Sequence, residues 1–223
     1  MPEVIFAGPE GRLEGRYQKG REDNPPVALI LHPHPLFGGT MNNRACYEMY
    51  NLFARKGFSV LRFNFRGIGR SQGEYDQGQG ELADAATALD YLQSMNPNAP
   101  FAWVGGFSFG SWIAMQLLMR RPEIAGFITA SAAANLYDFS FLAPCPSSGI
   151  VIHGEYDKIC PPEETKGMVE RTRTQRGRKV EFSVLPGADH FFENHMDPFL
   201  EMAEAYLDRR LAYHEPEGPY FEA

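Results

Sequence analysis

Lysine and arginine are in short supply: 21 of them face 28 aspartates and glutamates in a chain of 223 residues, a formal net charge of −7. Binding to nucleic acid or to an anionic membrane depends on clustered cations, so neither partner is expected. The one local concentration, Arg171, Arg173, Arg176, Arg178 and Lys179, reads as the solvated end of a helix. Cysteine is scarcer still. Cys46, Cys145 and Cys160 are odd in number, far apart and never in a CxxC pair, which disfavours a disulfide framework and a zinc site alike. No apolar run approaches the length of a membrane span. The N-terminus, MPEVIFAGPEGR, lacks the positive start and apolar core of a signal peptide. The expectation is a cytoplasmic protein with reduced thiols.

What is present is enough apolar material, 43% of residues, to bury a core without staples. Turn signals divide it into short runs. VIFA (4–7) and RLEGRYQ (12–18), separated by GPEG, read as an opening hairpin. VALILH (27–32) is continuously apolar, as a strand covered on both faces must be, and similar runs follow at 59–65, 101–106, 126–132, 149–154 and 180–187. Helical patterns lie between several of them. Leu82, Ala85, Ala86, Leu89 and Leu92 form one stripe, and Phe199, Met202, Ala203, Tyr206 and Leu207 another. WIAMQLLM (112–119) is apolar nearly all round, and Pro161-Pro162 followed by Glu163-Glu164 makes a helix start. Such alternation predicts one α/β domain over 1–212, with a mostly parallel sheet, helices on both faces and an N-terminal hairpin. The segment 213–223 reads as an extended tail. Its Tyr220 and Phe221, like the aromatic stretch 133–146, raise the hypothesis of a homodimer, which light scattering would remove by showing a monomer.

The sequence GGFSFGS (105–111) follows one predicted strand and opens one predicted helix. G-x-S-x-G in that setting suits a sharp strand-to-helix turn that exposes Ser108, with glycines where side chains would collide. A helix N-cap is the bland alternative for Ser108. A serine hydroxyl needs a base to become a nucleophile, and the base needs an acid to orient it. His190 lies in PGADHFF beyond the last strand, and Asp157 lies in HGEYDKIC beyond the strand before it. In a parallel sheet both fall at the carboxyl edge, giving the order Ser108, Asp157, His190. Asp138 is the rival acid, and Asp189 is adjacent but expected to point away. His153, inside a strand, reads as structural, while His195 and His214 read as surface or helix-end residues.

Cleavage of an acyl bond also needs two N–H donors for the oxyanion. Phe109 supplies one by position. The other is expected from HPHPLFGG, where Pro33 and Pro35 have no N–H, leaving His34, Leu36 or Phe37. A mononuclear metal site at His32 and His34 is awkward, because alternate side chains leave an extended segment on opposite sides. In RGIGRSQG (66–73) the phosphate-loop spacing and its lysine are missing, so Arg66 or Arg70 is read as a loop anchor, with a carboxylate clamp as the minority option.

LILHPHPLFGG (29–39), FNFRGIGRSQG (63–73), GGFSFGS, HGEYDKIC (153–160) and GADHFF (187–192) together span nearly the whole chain. In these motifs the chain resembles the α/β-hydrolase superfamily, in the group of compact bacterial hydrolases similar to dienelactone hydrolases and serine peptidase-like esterases. The resemblance implies a serine hydrolase of small-molecule carboxylic esters or related acyl bonds, working without cofactor or metal. It points to the His34 N–H as second oxyanion donor, although Pro33 stands where the family usually has glycine. Between the strands at 126–132 and 149–154 there is no room for a large cap, so an open mouth walled by Phe37, Phe107, Phe109, Leu136, Tyr137, Phe139, Phe141 and Phe191 is expected. A peptidase or thioesterase using the same three residues, and a non-catalytic ligand-binding protein of the same fold, are the rival readings.

Overall fold

The computed structural model describes residues 3–172 and 179–212. Its strands are β1 (Glu3–Gly8), β2 (Gly11–Gln18), β3 (Val27–Leu31), β4 (Ser59–Phe63), β5 (Ala102–Phe107), β6 (Ile124–Ala130), β7 (Ser148–Gly154) and β8 (Val180–Leu185). The helices are α1 (Arg44–Arg55), α2 (Gln79–Ser94), α3 (Phe109–Leu118), α4 (Pro162–Arg171) and α5 (Met196–Ala212). All eight strands join one sheet in the order β1-β2-β4-β3-β5-β6-β7-β8. The hairpin β1–β2 pairs antiparallel with itself and with β4, and every pairing from β4 to β8 is parallel. The predicted tail at 213–223 and most of the basic cluster at 171–179 lie outside the described residues.

The strand periodicity of two divides the core. Leu29 and Leu31 of β3, with Val104, Phe127 and Val151, pack against Leu82 and Leu89 of α2 and Ile113 of α3. Ala28 and Ile30, with Trp103, Ile128 and Ile150, face the other way onto Met49 and Phe53 of α1 and Phe199 and Tyr206 of α5. This two-sided burial explains why β3, β5 and β7 carry no polar alternation.

The structure differs from the sequence reading in two local places. No helix was expected between β3 and β4, yet α1 fills that interval. Its buried Ala45, Cys46, Met49, Tyr50, Leu52 and Phe53 face the core, opposite a polar stripe of Arg44, Glu48, Asn51 and Arg55 at helical spacing, a pattern the turn-rich HPHPLFGG stretch before it left unread. The Asn43 side chain starts it by accepting from the N–H groups of Ala45 and Cys46, at 3.0 and 3.4 Å. Strand β6 ends at Ala130 rather than 132, because Ser131 takes a positive φ of 48° and turns the chain away.

The carboxyl edge of the sheet is uncovered. Between β6 and β7 the chain forms a single 3₁₀ turn, Ser140–Leu142, and no cap domain.

Candidate active site

Ser108 sits between β5 and α3 with φ 54° and ψ −116°, a backbone conformation that non-glycine residues adopt only under constraint. The constraint is visible on both flanks. A Cβ on Gly106 would collide with the Gly110 carbonyl, and one on Gly110 with the carbonyls of Leu31 and His32. Three hydrogen bonds pin the turn: Ser108 N–H donates to Ala130 O at 2.9 Å, and the Ser111 hydroxyl donates to Gly106 O and Ala130 O, each at 3.0 Å. Ser108 makes no side-chain capping bond, so its Oγ does not serve the helix as a cap.

The structure brings the three residues expected from sequence into one line. His190 Nε2 is 3.2 Å from Ser108 Oγ, and His190 Nδ1 is 2.7 Å from Asp157 Oδ2. A carboxylate only accepts, so Nδ1 carries the proton and Nε2 is left to accept from the serine hydroxyl. The loop after β8 holds the imidazole there through Ser131 Oγ, which donates to the His190 carbonyl at 2.8 Å. Asp157 is buried and fully engaged: Oδ1 accepts from the N–H groups of Ile159 and Cys160, both at 2.9 Å. Burial alone would raise its carboxyl, but the hydrogen bonds from His153, His190 and Cys160 outweigh it and hold the group far below the usual carboxylate range.

His153 is placed differently from the expectation of a purely structural residue. It does lie within β7, wholly buried. Yet its Nε2 donates to Asp157 Oδ2 at 3.1 Å and to Cys160 O at 2.8 Å, so two imidazoles share one carboxylate oxygen. The tight turn closed by Asp157 N–H on Gly154 O folds the acid back over the strand it has just left. His153 titrates above its ordinary value: burial lowers it, and the bonds to Asp157 and Cys160 more than reverse that. The spacing H-G-E-Y-D was the available signal.

Asp138, the rival acid, is exposed and spends both oxygens on Ser140, whose N–H and hydroxyl donate at 2.8 Å. Asp189 accepts from Glu193 N–H at 3.0 Å. Neither has a hydrogen bond to His190 among the described residues.

On the loop after β3, the Leu36 N–H donates to His34 Nδ1 at 3.2 Å and the Phe37 N–H to His34 O at 3.1 Å. Both are therefore spent. The His34 N–H has no acceptor among the described residues, and neither has that of Phe109, the first residue of α3, since a helix leaves its first N–H groups unbonded. His34 and Ser108 line the same cavity. His32 turns away from it: its Nδ1 donates to Pro33 O at 2.7 Å and its Nε2 accepts from Phe65 N–H at 3.0 Å. Burial depresses it to about pH 4, so it is a neutral clamp between the ends of β3 and β4. Among the described residues no cluster of side chains suits a metal ion.

Arg66 anchors its loop with a bidentate grip on Asp84 of α2, Nε to Oδ2 at 3.0 Å and Nη2 to Oδ1 at 2.8 Å. Arg70 pairs with Glu3 and donates its N–H to Glu14 at 2.8 Å. Both guanidinium groups are thus occupied within the fold.

The cavity above Ser108 and His190 measures about 380 Å³. Of the eight apolar residues expected in its wall, Phe37, Leu136, Tyr137 and Phe191 line it. Phe107, Phe109 and Phe139 are buried in the core, and Phe141 packs against that core half-buried. Pro33, Gly38, Gly39, Asn43 and Ile159 complete the lining and were not foreseen, because only the folded loops bring them together.

Residues 29–149 match the family model of the α/β-hydrolase fold, and the chain belongs to that family. It is similar to a crystal structure of the protein of unknown function ATU1826 from Agrobacterium tumefaciens, with 58% identity, 94% of this chain and 96% of that one covered, and a TM-score of 0.92. Protein RP471 of Rickettsia prowazekii is 49% identical over 93% of this chain and 89% of its own length. The structure of an α/β serine hydrolase homologue from Coxiella burnetii is 31% identical, covers 92% of this chain and 97% of its own, and has a TM-score of 0.84. The protein is an α/β hydrolase of the serine type.

Proposed function

We propose that this hydrolase cleaves carboxylic esters through an acyl-enzyme intermediate. The reading is carried by the uninterrupted chain from Ser108 Oγ through His190 to Asp157, ending on a strained serine at the floor of an open cavity. Ser108 Oγ attacks the ester carbonyl as His190 Nε2 takes its proton. The N–H groups of Phe109 and His34 hold the oxyanion, standing ready for an acceptor the protein itself does not supply. Collapse expels the alcohol, which leaves with the proton from His190. Water then repeats the sequence on the acyl-enzyme and restores Ser108 with release of the acid. Asp157 keeps the imidazole in the tautomer that accepts from serine and stabilises the imidazolium between steps. Three unpaired, buried cysteines support a cytoplasmic setting.

A fluorophosphonate probe tests this directly. Wild-type protein should be labelled at Ser108, and Ser108→Ala should lose both the label and about 10⁴-fold or more of ester turnover. An unlabelled wild type, or a Ser108→Ala protein labelled equally well, overturns the reading.

A further inference from the structure

Large apolar side chains left in water are normally scattered over a protein surface; a cluster of them marks a binding face. Ten are exposed among the described residues, and six of those, Leu36, Phe37, Leu136, Tyr156, Ile159 and Phe191, stand on loops at the carboxyl edge of the sheet. Four of the six line the Ser108 cavity: Phe37 is 85% exposed, Leu136 60%, Phe191 48% and Ile159 44%. These four come from loops following four different strands, β3, β6, β8 and β7, so the apolar rim is assembled by the fold and surrounds the nucleophile from several sides.

Charge is missing from the same lining. None of the described residues that form it is Asp, Glu, Lys or Arg. The neighbouring guanidinium groups are engaged elsewhere, Arg66 by Asp84, Arg70 by Glu3, and Arg44 by the Glu193 carbonyl at 3.1 Å. Lys158 is exposed between Asp157 and Ile159 but does not line the cavity. A substrate carrying a carboxylate or phosphate beside its scissile bond would therefore lose water there without gaining a partner. The volume of about 380 Å³ holds on the order of a dozen non-hydrogen atoms, taking about 30 Å³ for each water-sized group.

We propose that the acyl group this site takes is an uncharged hydrocarbon chain of about eight carbons, lying from Ser108 among Phe37, Leu136, Ile159 and Phe191. The proposal rests on the ester-hydrolase reading above and narrows it to a substrate class. A methylene fully buried against apolar walls is worth about a fourfold gain, and on a half-open rim about twofold.

The test is a series of p-nitrophenyl esters from acetate to laurate, below their aggregation limits, with kcat/KM measured for each. Octanoate should exceed acetate about 50-fold, and longer chains should gain nothing further once they leave the rim. The mono-p-nitrophenyl ester of octanedioic acid, with the same chain ending in a carboxylate, should fall at least tenfold below octanoate. Phe37→Ser and Leu136→Ser, both at exposed positions, should each lower the octanoate-to-acetate ratio several-fold. A flat series with Ser108-dependent cleavage of acetate overturns the chain preference alone. So does equal turnover of the carboxylated ester, or a ratio unchanged in both variants. Absence of Ser108-dependent cleavage across the whole series overturns the hydrolase reading, and this inference with it.

Discussion

Two hollows of nearly equal size lie next to each other in this protein, and they differ in the groups that surround them. The cavity over Ser108 measures about 380 Å³, the other about 400 Å³, and Tyr137 is their shared wall. Each has an aspartate close by. Asp157 lies behind the first, buried, with His190 on one oxygen and two backbone N–H groups on the other. Asp138 lines the second, exposed, with both oxygens turned onto its own serine neighbour. The second hollow has no histidine among the residues described as lining it. Room is thus not what separates them. A proton path is.

The sharpest way to break this contrast is to neutralise the first aspartate. Asp157→Asn should reduce kcat for an ester on the order of 10⁴-fold, because an amide no longer enforces the imidazole tautomer that accepts from Ser108. Its own N–H₂ would also face the donors now converging on Oδ2. Steady-state assays at saturating ester decide it, and a loss below tenfold would mean that Asp157 is not the acid of the relay.

The floor beneath the first hollow also has its own pH signature. His32 is neutral in the folded protein down to about pH 4, whereas in the unfolded chain it takes a proton near its ordinary value of 6.5. Between those limits the unfolded state binds the extra proton, so stability falls as pH falls, by about 3 kcal/mol over the window. Urea titrations across that range should give a visibly flatter pH dependence for His32→Gln than for wild type. Parallel curves would show that His32 is already neutral or already exposed in both states.

A smaller effect is expected from the second imidazole on Asp157. His153→Met removes one charge-assisted donor and should lower kcat about tenfold with KM little changed, while His153→Gln, which keeps an N–H near the same place, should recover most of it. Thermal melts identify a variant that loses activity by unfolding. Equal kcat for Met and Gln in folded protein would make His153 a packing residue only.

The contrast between the hollows also marks how far the amino-acid order could be read. Ser108, Asp157 and His190 were legible because each follows a strand of a parallel sheet, and such strands deliver their loops to one edge whatever the details of packing. The same logic gave the open edge, since sixteen-odd residues between two strands hold no domain. It failed for contacts that depend on a turn closing. His153 looked interior and inert because its approach to Asp157 exists only once the chain reverses at Gly154. Helix α1 was legible but not read: Arg44, Glu48, Asn51 and Arg55 form a polar stripe at helical spacing opposite the buried Ala45, Cys46, Met49 and Phe53. For the candidate oxyanion donors, sequence left three N–H groups on one loop; those of Leu36 and Phe37 are spent on His34, while that of His34 has no acceptor among the described residues.

The smallest effect is expected on the far side of Tyr137. Asp138→Asn keeps an acceptor for the Ser140 N–H and touches no residue of the relay, so ester kcat and KM should stay within twofold of wild type. If Tyr137, which stacks on Trp112 at 4.6 Å and lies edge-on to Phe109, held the two hollows in a common mechanical unit, a change of charge on its neighbour would move the nucleophile's helix. The Trp112 Nε1–H, however, donates to the Asp138 backbone carbonyl at 2.9 Å, a bond no side-chain substitution removes. Full activity in Asp138→Asn beside the large loss in Asp157→Asn would establish that the two aspartates differ in function as they differ in surroundings. Comparable losses would place the acid, and the working cavity, on the wrong side of that ring.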